Sequence, residues 1–143
     1  MGFSIQVDDR AVTKHLNDVE KRSKRLKPAM EKVARQLKAA VEDSFDRQGN
    51  HDGFSRWKKR KKVKGKKDSG HPLLNKSGRL RNSLKAVATN STADVETDVE
   101  YAGYLNDGTK NMAARPFLQI NDADLEKAGE TMLNYIDEGK LGG

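Results

Sequence analysis

Phe3, Ile5 and Val7 alternate with Ser4, Gln6 and Asp8, the period-two pattern of a half-buried strand. Asp8 or Asp9 then supplies a side-chain acceptor suited to capping a helix. Over residues 11–48 the apolar positions change to a spacing of three and four. Val12, Leu16 and Val19 share one face, and Met30, Val33, Leu37, Val41 and the Ser44/Phe45 pair form a second stripe. Pro28 sits between the stripes; it lacks a backbone donor and disfavours helical geometry at Lys27, so it predicts a kink or a division of this long helix.

Gly49 to Gly53 supplies turn chemistry, and residues 49–73 show no sustained amphipathic period, so they are read as one long basic loop. Such a loop inside a compact domain points to a binding role. Ser77 can cap a short helix in which Leu80 and Leu84 fall one turn apart, and residues 85–90 follow as a strand. Val95, Thr97 and Val99 alternate with Asp94, Glu96 and Asp98, which places a packed face opposite a row of carboxylates. Residues 90–92 connect the two strands as a hairpin.

Tyr101, Ala102, Tyr104 and Leu105 predict a helical turn ended by Asp107-Gly108, with glycine in the left-handed conformation. Asn121 is placed to cap a final helix, with Asp122 and Asp124 near its positive end and Leu125, Ala128, Met132 and Ile136 on one face. Residues 139–143 read as a frayed end. The order of elements describes one α+β domain over residues 1–143: a long N-terminal helix, kinked or split near Pro28, and a C-terminal helix, packed on a small antiparallel sheet.

With 34% hydrophobic and 34% charged residues, the apolar side chains suffice for one modest core and leave much of the chain solvated. The absence of cysteine excludes a disulfide framework, thiolate metal sites and cysteine nucleophiles. No segment approaches the roughly 20 apolar residues of a membrane-spanning helix, and the N-terminus lacks a signal-peptide pattern; a soluble protein made in the cytoplasm is expected. His15, His51 and His71 have no metal-ligand spacing, the carboxylate alternation matches the wet face of a strand, and no nucleotide-binding glycine motif is present. A binding or assembly protein without cofactor or metal is expected rather than an enzyme.

The net charge of +7 is concentrated. Lys58, Lys59, Arg60, Lys61, Lys62, Lys64, Lys66 and Lys67 carry eight positive charges, leaving the remainder of the chain at −1. Three readings stay open for this run: non-specific contact with the phosphates of a nucleic acid, contact with an acidic protein surface, or a solvated tether. Trp57 just before it either stacks on a base or anchors the start of the loop against the domain.

Four local patterns, in order, resemble the phage virion morphogenesis, or tail completion, family. They are Gly53-Phe54-Ser55-Arg56-Trp57 followed by basic residues, then the stretch Pro72-Leu73-Leu74-Asn75-Lys76-Ser77-Gly78-Arg79-Leu80-Arg81-Asn82-Ser83. Tyr101-Ala102-Gly103-Tyr104-Leu105-Asn106-Asp107-Gly108-Thr109 and Ala114-Arg115-Pro116-Phe117-Leu118 complete the set. One departure is Leu105, where many relatives carry histidine. The resemblance implies a minor structural protein of a tailed phage or prophage that completes the tail and enables head–tail joining, acting as a ring subunit with heterologous interfaces. Its implied partners are other tail or neck proteins and further copies of itself. It would be found in the bacterial host cytoplasm during assembly, then at the head–tail junction or tail end. Trp57 and the basic run are expected to meet a partner or polyanion, and Arg79, Arg81, Arg115 and Phe117 to serve as interface or scaffold. The alternative is a DNA-associated protein that holds phosphate through the basic run.

Overall fold

A computed structural model describes residues 9–50, 53–60, 73–74 and 78–141. The alternating stretch 3–7, Ser77, His51, His71 and the basic residues Lys61, Lys62, Lys64, Lys66 and Lys67 lie outside the described residues. The elements run α1 (Asp9–Lys24), α2 (Lys27–Asp46), α3 (Arg79–Asn82), β1 (Lys85–Ala88), β2 (Ala93–Glu96), α4 (Ala102–Asp107) and α5 (Asp122–Glu138). This is the expected α+β architecture, with helices packed against a two-stranded antiparallel sheet.

The long helix is split rather than kinked. Pro28 stands in the first turn of α2, where its missing N–H costs nothing because that donor has no intrahelical acceptor. The break is satisfied from elsewhere in the chain. Asn90, at the hairpin turn, accepts from the N–H groups of Leu26 (2.7 Å) and Lys27 (3.0 Å) and donates to the carbonyl of Lys24 (3.0 Å). Tyr135 of α5 donates its hydroxyl proton to the carbonyl of Arg25. Two distant side chains thus replace the hydrogen bonds that a continuous helix would have made.

α2 is the central element, packed on α5 and on both strands, while α1 packs against α5. It buries Ala29, Val33, Ala34, Leu37, Val41, Ser44 and Phe45, which follows the stripe read from the sequence. β1 and β2 pair with Lys85 opposite Glu96 and Val87 opposite Asp94, both pairs on the solvent side. The core gathers around the C-terminal end of α2, where Val41, Phe45, Trp57, Leu80, Leu84, Val99, Ala102 and Phe117 form one cluster.

Several expectations are corrected. On α1, Val12 and Leu16 remain 45% and 60% exposed. On α5, Leu125 is exposed and the buried positions are Thr131 and Tyr135, whose polar atoms find partners in Gln36 and Arg25. The N-cap position of α3 is Gly78 at φ 71°. Gly108 ends α4 with φ 79° and ψ 172°, a glycine conformation outside the left-handed helical region. Gly139 is a left-handed cap of α5 rather than part of a frayed end, with its N–H on the carbonyl of Tyr135 at 2.8 Å. Asn121 caps α5 as expected, reciprocated by Asp124 in a capping box.

Candidate functional site

Trp57 joins the core to the basic segment. Its ring is 4% exposed and meets Phe45 edge-on at 5.7 Å, and Phe45 in turn lies 5.6 Å from the ring of Phe117. The indole Nε1–H donates to the carbonyl of Pro116 at 2.7 Å, so the polar atom of this buried ring is satisfied. Space for the ring depends on Gly49. At φ +83° a side chain there would be strained, and its Cβ would fall 2.4 Å from Trp57 Cδ1. Trp57 is thus packed among core side chains at the start of the basic segment, with little of its ring exposed to a base.

The chain beyond Trp57 is also held. Arg115 donates from Nε to the carbonyl of Lys58 (3.0 Å) and from Nη2 to the carbonyl of Lys59 (3.5 Å). Arg115 is itself placed by α4, since its N–H donates to the carbonyl of Leu105 at 2.9 Å. Asn106 completes the support by accepting from the N–H groups of Phe117 (3.1 Å) and Leu118 (3.2 Å). The Tyr101–Thr109 and Ala114–Leu118 patterns of the sequence thus form one brace beneath the start of the basic segment. The side chains of Lys58, Lys59 and Arg60 are exposed. Lys58 and Lys59 make no ion pair among the described residues.

Gln48 governs both ends of the segment. Its backbone takes φ 53°, its carbonyl accepts from the N–H of Trp57 at 2.8 Å, and its side-chain amide pairs with Leu73 in both directions. Gln48 Nε2 donates to the Leu73 carbonyl at 3.2 Å, while Leu73 N–H donates to Gln48 Oε1 at 2.6 Å. A single residue at the end of α2 therefore closes the base of residues 58–72. Nothing local in the sequence assigns these backbone partners to Gln48, Asn90 or Asn106, because an amide's role depends on which backbone groups the fold brings to it.

The remaining expected residues make contacts within the chain. Phe117 is fully buried, and Ser44 Oγ lies 3.2 Å from its carbonyl. Arg81 forms a two-pronged ion pair with Asp46, with Nη2 to Oδ2 at 3.2 Å. The hydrogen bond from Arg81 holds the Asp46 carboxyl below its ordinary value, and the same bond raises the Arg81 guanidinium. The Arg79 guanidinium lies 5.9 Å from the centre of the Tyr101 ring, within cation–π range.

The second charged surface is the outer face of the hairpin. Asp94, Glu96, Asp98 and Glu100 are all exposed and make no ion pair among the described residues. Among those residues no group of three His, Asp or Glu side chains could hold a metal ion. His15 pairs with Asp137 at 3.0 Å on the surface. A depression lined by Arg10, Lys14, Lys21 and their neighbours draws on α1 alone. None of the described helices is long and apolar enough to cross a membrane. The arrangement presents fixed charge of both signs, which suits binding and assembly.

The model of the phage virion morphogenesis family matches residues 7–137. No curated protein and no solved structure matches the chain. The family match takes in every described element from α1 to the penultimate residues of α5, including the Trp57 anchor, the Arg115 brace and the hairpin. Matched over nearly its whole length, this α+β chain belongs to the phage virion morphogenesis family and has a structural role in assembling a phage particle.

Proposed function

We propose that the chain completes the tail of a tailed phage or prophage and makes it competent to join a filled head, acting as one subunit of a ring at the head–tail junction or tail end. The observation that carries this reading is the family match over residues 7–137. The fixed presentation of Lys58 and Lys59 by Trp57 and Arg115 agrees with it, since an assembly protein acts through surfaces held in place before contact. Its partners are other tail or neck proteins and copies of itself, and no covalent chemistry is required.

Deleting the gene from its phage or prophage and imaging the particles tests this reading. Separated filled heads with unjoined or abnormal tails, restored by the wild-type gene, are the expected result; normal joined virions reject it. A second reading, contact with DNA, is favoured by the ammonium groups of Lys58 and Lys59, which are exposed and make no ion pair among the described residues. It expects duplex binding that falls steeply with the logarithm of salt concentration and weakens in a Lys58→Ser, Lys59→Ser variant.

A further inference from the structure

We propose that copies of this chain join through the two charged surfaces: Arg56, Lys58 and Lys59 of one copy seat on the hairpin face formed by Asp94, Glu96 and Asp98 of the next. This rests on the reading of the chain as a ring subunit and names the interface that such a ring would use.

Among the described residues the carboxylate face has no ion-pair partner. Asp94 and Glu96 stand two residues apart on β2, about 7 Å in strand geometry, and Asp98 follows two residues past its end, so like charges are held close. Lys85, opposite Glu96, is the cation that β1 contributes to this side, and no ion pair forms between them. Val87, opposite Asp94 and 39% exposed, adds an apolar strip on which the methylene stems of incoming lysines can rest.

The basic surface matches this face in sign and in period. Trp57 points into the core while Arg56 and Lys58 on either side are exposed, so the two cations are separated by the same two-residue step as Asp94 and Glu96. Neither Arg56, Lys58 nor Lys59 has an ion-pair partner among the described residues. Their backbone is fixed by the Trp57 and Arg115 hydrogen bonds, which lowers the ordering cost of docking.

Among the described residues no ion pair joins the two surfaces within one chain. The turn of the hairpin is fastened through Asn90 to the break between α1 and α2, and Val99 beyond its other end packs in the same core cluster as Trp57 and Phe45. Both surfaces are thus held in place on the fold. Distinct, complementary surfaces on one subunit make a head-to-tail contact, the kind that closes into a ring when the rotation per subunit permits. An acidic protein or DNA would use only one of the two surfaces; a second copy uses both.

The test is sedimentation velocity on the full chain at low and high salt, with a Lys58→Glu, Lys59→Glu variant and a Glu96→Lys, Asp98→Lys variant. The wild type is expected to self-associate at low salt and to dissociate as salt screens the contact. Each variant alone should associate at least about tenfold more weakly, and an equimolar mixture of the two should return to within about threefold of wild type, because reversed charges meet reversed charges. Recovery in the mixture excludes misfolding as the cause of the single losses. Unchanged association in both variants, no recovery in the mixture, or a wild type that stays monomeric at low salt overturns the proposal. So does a basic-segment variant that loses duplex DNA binding while its self-association is unaltered. The gene-deletion experiment is independent: a failed mixture beside defective particles removes only this interface, whereas normal particles remove the ring-subunit reading itself.

Discussion

Helices α1 and α2 follow each other across a two-residue break, and both carry apolar side chains at three-to-four spacing, yet only one of them is enclosed. α2 lies between α5 and the hairpin and buries seven residues along its length. α1 meets α5 near the C-terminal end of that helix, largely through polar groups. His15 reaches Asp137, and Arg22 donates to the carbonyls of Ile136 (2.8 Å) and Asp137 (2.6 Å). A cation at the C-terminus of α5 complements the negative end of its dipole, so α1 is attached by charge and hydrogen bonding where α2 is attached by packing. Amphipathic spacing identifies which face of a helix is apolar; the neighbours decide whether that face is covered.

The contrast can be broken most directly at the buried end of α2. Phe45→Ala should cost about 3–5 kcal/mol in denaturant unfolding, since the ring supports both Trp57 and Phe117 and its removal leaves a cavity. Asn90→Ala, which removes three hydrogen bonds at the junction between the helices, should cost about 1–3 kcal/mol and raise amide exchange at Leu26 and Lys27. Leu16→Ala on the uncovered face of α1 should stay within about 0.5 kcal/mol; a loss comparable to that at Phe45 would show that α1 is packed in solution.

The smallest effect is expected at Asp46, beyond the apolar contacts of α2. Its carboxyl is held low by the hydrogen bond from Arg81, so the folded state binds fewer protons there than the unfolded chain. The resulting stability is present above the ordinary carboxylate value of about 4 and is lost as pH falls through the lowered folded value. Asp46→Asn should flatten the acid limb of a stability-against-pH profile slightly, because the side chain is 59% exposed and solvent screens the pair.

What the sequence discloses is local. The stripe on α2, the division at Pro28, the hairpin and the Asn121 cap depend on residues within a turn or two of one another, and all are found. On α5 the apolar face read from the sequence is half-buried at Ala128, Met132 and Ile136, while the most buried positions are Thr131 and Tyr135. Thr131 bonds to Gln36, 95 residues away, and Tyr135 to Arg25, 110 residues away, and no periodicity of apolar residues reports such partners. At the candidate site the charges were legible and their support was not. That Trp57 turns inward depends on the missing Cβ of Gly49 and on the carbonyl of Pro116, 59 residues away. Trp57 and Lys58 are adjacent in sequence, yet one is core and the other surface.

The amide of Gln48 has a consequence for how this protein can vary. Because the entry and exit of residues 58–72 meet at one residue, the entry at the Gln48 carbonyl and the exit at its side-chain amide, the closure does not depend on how much chain lies between them. Doubling such a closed length costs only about 0.6 kcal/mol in closure entropy. The length of the intervening stretch can therefore change while Gln48, Trp57 and Leu73 keep their hydrogen bonds, so variation there does not require renegotiating the fold.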